Sequence, residues 1–323
     1  MFMNDILVTE EIVGSDMDAL KAAFAVTYEP ELWKSPDKLR KVIGDYRALM
    51  VRNQTPVNAE LIAAGRKLEV IGRAGVGLDN VDAKAATEAG IAVVYAPEQN
   101  SISVAELGLG MMLSMARMIP AADQSTKAGK WERKKFTGTE LFGKTLGIVG
   151  LGRIGFLTAM RAKAFGMSII AHDSFVNPDS LLVSETGAEL VSFGDLLSRS
   201  DFVSCHLPET PQTLNIFNGD AFSKMKATAY FINTSRGKVV DETALLKALK
   251  EKTIAGAALD VRAKEPPVAG ELEKLENVLL VPHIAAFTQE GQERVVRCVC
   301  SDVAAILRGE AAKNFFNFSK PRK

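Results

Sequence analysis

The sequence predicts an α/β protein with two doubly wound parallel-sheet domains. Three observations support this fold class. The stretch from Lys144 to Asp173 reads as strand, glycine turn, helix and strand, and apolar strands alternate with amphipathic helices through most of the chain. The chain's 323 residues also exceed the roughly 250–300 residues at which a single core usually stops growing. Such alternation favours parallel sheets covered by helices.

The strand–turn–helix–strand stretch carries the pattern of a dinucleotide-binding fingerprint. The apolar strand Leu146–Val149 leads into Gly150, Gly152 and Gly155. We expect Gly150 to make the tight turn, Gly152 to let a pyrophosphate approach the backbone, and Gly155 to let the helix pack closely on the strand. Three spaced glycines alone would also fit a turn without a ligand. The flanking strands favour nucleotide binding at the helix N-terminus.

Asp173 closes the fingerprint at the end of its second strand. A carboxylate there can accept both ribose hydroxyls of NAD, whereas NADP needs a cation for its 2′-phosphate. Ser174, Phe175 and Val176 follow and supply no cation. The sequence therefore predicts NAD as the cofactor, and the alternative is that Asp173 only caps a turn.

Composition argues against several other classes of protein. Lys plus Arg and Asp plus Glu each number 39, so the formal charge of +0 gives no general case for nucleic acid or membrane binding. The three cysteines suggest reduced thiols in the cytoplasm. The acidic N-terminal stretch does not read as an export signal, and the apolar helix near Val104–Ile119 is too short to span a bilayer comfortably. No metal site is predicted.

The first hundred residues predict one parallel sheet. The expected helices include Val57–Ala64 and Ala83–Ala89. The expected strands are Ile6–Thr9, Ala25–Tyr28, Ala48–Val51, Leu68–Ile71 and Ala92–Tyr95. Ligands bind beyond the carboxyl ends of such strands, and two of these ends, residues 52–56 and 72–80, carry polar or glycine-rich sequence. We expect the second to bind a small anion through backbone N–H groups.

The remainder predicts a second sheet that continues from the fingerprint. Its further strands are Glu189–Val191, Phe202–Cys205, Ala229–Asn233, Ile254–Leu259 and Val278–Val281. The last helix, Thr288 to about Leu307, is expected to return to the first domain. A basic cluster, Arg133-Lys134-Lys135, is either a solvated surface or a contact for an anionic substrate group.

Three histidines, His172, His206 and His283, lie at or just past strand ends. In a doubly wound sheet the second strand serves the adenosine half of the cofactor, and the fifth to seventh lie toward the nicotinamide. Only His283, after the seventh, has suitable neighbours, Arg236 and Glu265, in adjacent loops. Arginine can grip a carboxylate, histidine can transfer a proton, and glutamate can orient the imidazole. The alternative is a surface Arg–Glu pair and a structural histidine.

Several motifs resemble the D-isomer-specific 2-hydroxyacid dehydrogenase family, and the 3-phosphoglycerate dehydrogenase branch in particular. They are NTSRG with Arg236, LDV…KEPP with Glu265, PHIAAFTQE with His283, GRAGVGLDNVD, and GKWERKKFTGTELFGKTLGIVGLGRIG with the closing Asp173. The resemblance implies a flavodoxin-like substrate domain, residues 1–98 plus 289–323, and an inserted Rossmann domain, residues 99–288. It also implies an active-site cleft between the two domains and a homodimer through the nucleotide-binding domain.

The same resemblance implies specific roles. His283 is the acid/base, Glu265 tunes it, and Arg236 binds substrate. The expected substrate contacts are Asn53, Arg73, Val76, Gly77, Asn100 and Arg236. The expected cofactor contacts are Gly150, Gly152, Arg153, Ile154, Gly155, Asp173, His206, Pro208, Thr234 and Asp260.

Two departures from the family pattern leave the substrate open. Arg262 stands where members often carry an aromatic residue, and Asn53-Gln54-Thr55 differs from the usual Ser-x-Thr-Lys. The candidate substrates are 3-phosphoglycerate, hydroxypyruvate or glyoxylate, and sulfolactate. An alternative from another class is an NAD(H)-sensing binding protein, similar to the corepressors that resemble this family and keep the same residues.

Overall fold

The computed structural model describes residues 4–322, which form two compact units. One unit contains the described residues up to Asn100 together with those from Phe287 onward, and the other is Ser101–Ala286. The division predicted from the sequence, at residues 98/99 and 288/289, lies two residues from each of these boundaries.

The first unit contains a five-stranded parallel sheet with the order β2-β1-β3-β4-β5. Its strands are β1 (Ile6–Val8), β2 (Val26–Tyr28), β3 (Ala48–Val51), β4 (Val70–Arg73) and β5 (Ala92–Tyr95). Its helices are α1 (Ser15–Ala23), α2 (Pro36–Val42), α3 (Ala59–Ala64), α4 (Ala83–Glu88) and α12 (Gln289–Leu307). Buried apolar side chains cover both faces of this sheet, as expected for a doubly wound fold.

Helix α12 joins the end of the chain to the first sheet. Val295, Val299 and Val303 recur at the four-residue spacing of one helix face, and they pack with Ile6 and Val94 in one buried cluster. The prediction that the last helix returns to the first domain is confirmed.

The second unit contains a seven-stranded parallel sheet with the order β12-β11-β10-β9-β6-β7-β8. Its strands are β6 (Thr145–Val149), β7 (Ser168–His172), β8 (Glu189–Leu190), β9 (Phe202–Cys205), β10 (Tyr230–Asn233), β11 (Gly256–Leu259) and β12 (Val278–Leu280). Its helices are α5 (Ser101–Arg117), α6 (Ile119–Lys127), α7 (Arg153–Ala164), α8 (Leu181–Thr186), α9 (Phe193–Arg199), α10 (Gly219–Lys224) and α11 (Glu242–Lys250). The strand order reverses between β6 and β9, which is the topological switch point where ligands of such sheets bind.

The fold class is confirmed, but several predicted elements had wrong boundaries, and two of them show the largest differences. The strand expected at Leu68–Ile71 lies at Val70–Arg73, because buried Leu68 belongs to the preceding turn while Gly72 and Arg73 continue the pairing with β3. The helix expected near Val104–Ile119 ends at Arg117, where Met118 adopts a left-handed φ of 51° and α6 begins.

No single helix within residues 4–322 is long and apolar enough to cross a membrane. Helices α5 and α6 meet the length and composition criteria only when taken together, and they are bent by 61°.

Candidate active site

The glycine turn after β6 has the geometry that the fingerprint requires. Gly150 has a φ of 95°, a left-handed conformation that glycine adopts without steric cost. A Cβ added to Gly155 would lie 2.2 Å from the carbonyl oxygen of Gly150 and 3.0 Å from Ile148 Cγ2. The prediction that Gly155 allows close packing of helix and strand is therefore confirmed.

Asp173 connects the end of β7 to the glycine turn. Its Oδ2 accepts a hydrogen bond from the Leu151 amide at 2.9 Å, and its Oδ1 accepts one from the Phe175 amide at 2.8 Å. Asp173 thus caps a local turn, as the alternative interpretation of the sequence held, and also fixes the glycine turn. A carboxylate has about four acceptor positions, so Asp173 retains capacity for the hydroxyls of a ribose.

The surroundings of the glycine turn fit a dinucleotide. Helix α7 begins at Arg153 and has Gly152 as its N-cap, without a hydrogen bond from a capping side chain. A Cβ added to Gly152 would meet no heavy atom within 4 Å, so space is open beside the first-turn amides of Arg153 and Ile154. Amides at a helix N-terminus favour a phosphate.

Two buried polar atoms on neighbouring strand ends add to this fit. His206 Nδ1, after β9, and Thr234 Oγ1, after β10, have no hydrogen-bond partner among residues 4–322. Buried polar atoms are normally paired, so these two positions suit a polar ligand. Pro208 lies in the loop after His206, where its carbonyl accepts a hydrogen bond from Thr213 Oγ1 at 2.6 Å.

His283 and Glu265 form a hydrogen-bonded ion pair in the second unit. His283 Nδ1 lies 2.7 Å from Glu265 Oε2, and the two side chains are 46% and 37% exposed. The hydrogen bond that His283 donates to Glu265 raises the pKa of His283 despite partial burial. Burial opposes the charge on Glu265, but hydrogen bonds from His283 and the Arg262 amide bring its pKa below the ordinary value. The pair therefore favours a protonated imidazole that remains accessible to solvent.

The backbone of His283 is held in an unusual conformation by Asp260. His283 has a φ of 55°, a left-handed value that is uncommon for residues other than glycine. Asp260 Oδ1 and Oδ2 accept from the amides of Ile284 and Ala285 at 2.7 and 3.0 Å, and the His283 amide donates to the Asp260 carbonyl at 2.8 Å. Burial raises the pKa of Asp260.

The sequence predicted Asp260 as a cofactor contact and missed this anchoring role. Its position directly after the buried strand β11 was the available signal, because an acidic residue at a buried strand end needs hydrogen-bond donors. Those donors come from the loop after β12, which no sequence pattern specifies.

Arg236 lies in the loop after β10, which Asn233 shapes. The buried Asn233 side chain donates to the Arg236 carbonyl at 2.9 Å and accepts from the Ser235 amide at 2.9 Å. Arg236 Nη1 donates to the Ser235 carbonyl at 2.9 Å. The Arg236 charge lowers the pKa values of both His283 and Glu265, although it is a minor influence on each. The structure thus brings Arg236, Glu265 and His283 together.

The other two histidines have different surroundings. His206 Nε2 lies 2.9 Å from Ser204 Oγ, and burial lowers its pKa to about 4, so it is neutral at pH 7. His172 Nδ1 lies 3.1 Å from the Val191 carbonyl, and its ring packs 5.6 Å from that of Phe193. In the part of the chain that the structure describes, neither ring contacts a carboxylate as His283 does.

In the first unit, Glu10 organises the loop that carries Asn53. Glu10 is 3% exposed, and its carboxylate accepts from the amides of Arg52, Gln54 and Thr55, each at 2.9 Å. The sequence analysis did not single out Glu10. A buried glutamate just past β1 was a usable signal, because such a charge requires partners.

Asn80 holds the same loop from another side and links it to the glycine-rich segment after β4. Its Nδ2 donates to the carbonyls of Arg52 and Thr55 at 2.9 and 2.8 Å. Within the glycine-rich segment, a Cβ at Gly75 would lie 1.4 Å from Arg73 Nη1, so the guanidinium packs directly on that glycine. The carboxyl ends of β1, β3 and β4 therefore form one polar edge.

The predicted substrate contacts Asn53, Arg73, Val76, Gly77 and Asn100 all belong to the first unit. Val76 and Gly77 are partly exposed, and Asn100 has a buried Oδ1 with no hydrogen-bond partner within the described part of the chain. The basic cluster lies in the second unit, on an exposed turn at Arg133–Phe136.

Comparisons with known proteins agree with this geometry. The family model described as D-isomer specific 2-hydroxyacid dehydrogenase, NAD binding domain, matches residues 109–285. A D-3-phosphoglycerate dehydrogenase from Archaeoglobus fulgidus is 44% identical over 313 residues, covering 97% of this chain and 59% of that protein. The chain spans between half and three fifths of the length of the curated relatives it matches.

Solved structures are similar over nearly their whole length. The TT0316 protein from Thermus thermophilus has a TM-score of 0.90 and 32% identity, covering 96% of this chain and 99% of that one. A glyoxylate reductase from Paecilomyes thermophila has a TM-score of 0.86 and 32% identity, covering 98% of each chain.

Proposed function

Since this chain belongs to the D-isomer specific 2-hydroxyacid dehydrogenase family, we propose that it is an NAD-dependent oxidoreductase that interconverts a small D-2-hydroxy acid and its 2-oxo acid. The observation that carries this proposal is the 2.7 Å pair between His283 and Glu265. It supplies an accessible proton donor in the unit that also contains the dinucleotide fingerprint.

The proposed catalytic residues have complementary tasks. In reduction, His283 donates a proton to the oxygen that develops negative charge, and in oxidation it removes the hydroxyl proton. Glu265 keeps the imidazole oriented and stabilises its protonated form. Arg236 binds the substrate carboxylate, because its planar fork can donate two parallel hydrogen bonds. Asp260 holds the His283 segment through the amides of Ile284 and Ala285.

The proposed cofactor site surrounds the glycine turn in the dinucleotide-binding domain, residues 99–288. Bound NAD supplies the hydride acceptor and donor chemistry. The amides of Arg153 and Ile154 hold the pyrophosphate, Asp173 accepts the ribose hydroxyls, and His206, Pro208, Thr234 and Asp260 contribute further contacts.

The proposed substrate domain, residues 1–98 plus 289–323, supplies anion-binding groups. Backbone amides of Val76 and Gly77 hold the substrate carboxylate, while Asn53, Arg73 and Asn100 contact its remaining polar groups. The hydrogen bonds from the Arg52–Thr55 loop to Glu10 support this role, because they fix the backbone that carries Asn53.

We propose 3-phosphoglycerate as the first substrate to test, since the curated relatives bear that name in their descriptions. Glyoxylate or hydroxypyruvate is the second candidate, supported by the similarity to a glyoxylate reductase. Sulfolactate is a third anionic candidate.

The test is a panel of NADH oxidation assays with 3-phosphohydroxypyruvate, hydroxypyruvate, glyoxylate and sulfopyruvate. We expect turnover with at least one of them, with the highest kcat/KM identifying the substrate. NADH binding without turnover of any 2-oxo acid would instead favour a nucleotide-sensing protein.

We further propose that the chain acts in the cytoplasm as a homodimer through the nucleotide-binding domain. Cys205, Cys298 and Cys300 are unpaired, which is typical of a reducing compartment. Large apolar side chains of the second unit, Ile119, Trp131 and Phe142, are 50%, 80% and 74% exposed, and such residues are frequent at interfaces. Light scattering coupled to size-exclusion chromatography measures the mass in solution.

A further inference from the structure

Arg262 lies just after β11, and two glutamates hold its side chain. Its Nε and Nη2 donate to the two carboxylate oxygens of Glu242, each at 3.1 Å, and its Nη1 donates to Glu273 Oε1. The Arg262 side chain is only 13% exposed. A bidentate Arg–carboxylate contact fixes orientation as well as position, so the Arg262 guanidinium is held in one orientation.

The same contacts hold the loop that carries Glu265. The Ala263 amide donates to Glu242 Oε1 at 2.7 Å, and the Arg262 amide donates to Glu265 Oε1 at 2.9 Å. The loop also packs tightly on the Arg236 loop, because a Cβ at Gly237 would lie 2.0 Å from the Arg262 carbonyl oxygen. The remaining oxygen of Glu265 is the one that meets His283.

We propose that Arg262 is a positioning residue: its guanidinium, clamped by Glu242 and Glu273, fixes the loop that presents Glu265 to His283. The role of that pair in catalysis rests on the proposed function, but the positioning itself can be measured without substrate. Arg262 thus acts through Glu265 and not by direct contact with substrate.

The sign of the electrostatic effect makes this proposal testable. Three charged groups influence His283: Glu265 and Asp260 raise its pKa, and Arg236 lowers it. Replacing Arg262 by a neutral residue removes a positive charge and leaves Glu242 and Glu273 without their guanidinium partner, so by charge alone the pKa of His283 would rise. Loss of the Glu265 contact would lower it. The direction of change therefore separates positioning from simple electrostatics.

The experiment is a pH titration of histidine resonances by NMR, which is practical because the chain has three histidines. The His283 resonance is assigned with His283→Ala. The test variants are Arg262→Met and the milder Arg262→Lys, which keeps the positive charge but loses the planar fork that contacts Glu242. The matched control is Arg199→Met. Arg199 also makes a bidentate contact with a glutamate, Glu189, through Nη1 and Nη2, and the proposed mechanism does not use this pair.

In Arg262→Met we expect the His283 midpoint to fall toward the ordinary histidine value of about 6.5, with a smaller fall in Arg262→Lys and none in Arg199→Met. An unchanged or higher midpoint in a folded Arg262→Met protein would overturn the proposal. If that variant does not fold, Arg262→Lys decides by the same criterion, because it keeps the positive charge and a fall then reports the lost planar fork. The titration needs neither substrate nor cofactor, so an inactive unmodified protein would defeat the proposed function and leave this result unaffected.

Discussion

The proposed proton transfer depends on the contact between His283 and Glu265. A histidine without a partner would be mostly neutral at pH 7, because its ordinary pKa is about 6.5. Glu265 raises that pKa and Asp260 holds the backbone that presents the ring. One residue therefore depends on two carboxylates. Glu265 has the larger effect on its pKa, and Asp260 holds its conformation and also raises the pKa.

We predict that His283→Ala lowers kcat by about 10²–10⁴-fold, the typical contribution of a positioned acid or base. NADH binding should persist, because His283 is not among the predicted cofactor contacts. Steady-state assays of NADH oxidation give kcat, and an NADH fluorescence titration gives the Kd for NADH. His172→Ala is the matched control, since His172 contacts the Val191 carbonyl and Phe193 instead of a carboxylate.

Retention of near-native kcat in His283→Ala would remove this residue from the mechanism.

The pH dependence of 2-oxo acid reduction should follow the protonation of His283. Because Glu265 raises the pKa of His283, the protonated form persists to higher pH than for an isolated histidine, and kcat/KM falls as pH rises through that pKa. In Glu265→Gln the decline should move to lower pH, since a neutral amide does not stabilise the cation. Exposed Glu251→Gln is the control, and a decline at the same pH in all three proteins would refute the assignment.

Cofactor choice is predicted to depend on Asp173. A 2′-phosphate would meet an uncompensated carboxylate and would also lose the hydroxyl hydrogen bond. A hydrogen bond to a charged group contributes about 1.5–3 kcal/mol, or roughly ten- to a hundred-fold in affinity. We therefore expect a strong preference for NADH over NADPH, largely erased in Asp173→Ala mainly through weaker use of NADH.

Specificity constants for both cofactors measure this effect, with Asp179→Ala as an exposed control. Because Asp173 also accepts from the amides of Leu151 and Phe175, circular dichroism must first establish that the variant is folded. Equal use of both cofactors by the unmodified enzyme would rule out Asp173 as the selector.

The packing of helix α7 on the glycine turn requires that Gly155 carries no side chain. A Cβ at Gly155 would lie 2.2 Å from the Gly150 carbonyl oxygen, a backbone atom that cannot move away alone. Gly155→Ala should therefore destabilise the protein by about 1–3 kcal/mol, as overpacking usually does, and weaken NADH binding. Urea unfolding and an NADH titration measure the two effects.

Gly194→Ala is the matched control for this change. Gly194 lies in α9, and a Cβ there would meet no heavy atom within 4 Å. Alanine is favoured over glycine within helices by roughly 0.5–1 kcal/mol, so this variant should be as stable as the unmodified protein or slightly more stable. Equal stability of the two alanine variants would contradict the packing argument.

Helices and strands were predictable from the sequence where a local pattern of apolar and polar residues defines them. Strands such as Ala48–Val51 and Phe202–Cys205 were located to the residue, because they are short apolar runs bounded by polar residues. Boundaries were wrong where tertiary packing determines them. Leu68 is apolar and buried like a strand residue, but its amide donates to the Gly65 carbonyl in a turn. The left-handed Met118 that ends α5 has no local signal.

The candidate site was predictable as a set of residue types but not as a set of contacts. The order of strands places the loops of Arg236, Glu265 and His283 side by side, and that order follows from the fingerprint. The hydrogen bonds that hold these loops join residues distant in sequence, such as Asp260 with Ala285 and Arg262 with Glu242. The periodicity of the sequence does not specify such pairs. It also does not specify the hydrogen bonds by which Glu10 holds its loop.

For the whole molecule, chain topology explains how one sequence makes two units. The chain builds five strands, leaves at Ser101 for a complete seven-stranded sheet, and returns so that α12 packs on the first sheet. Each unit has its own buried core, as expected for domains of this size. The fingerprint and the residues proposed for proton transfer lie in the inserted unit, and the proposed anion-binding amides lie in the other.

The most direct test of the central claim compares the two enantiomers of the preferred 2-hydroxy acid. Initial rates of NAD reduction are measured with the pure D and L forms and the unmodified protein, and His283→Ala serves as the inactive reference. We predict reduction of NAD with the D enantiomer and a rate with the L enantiomer no higher than that of the reference. Equal rates with both enantiomers, a preference for the L form, or no reduction of NAD with either would contradict the account.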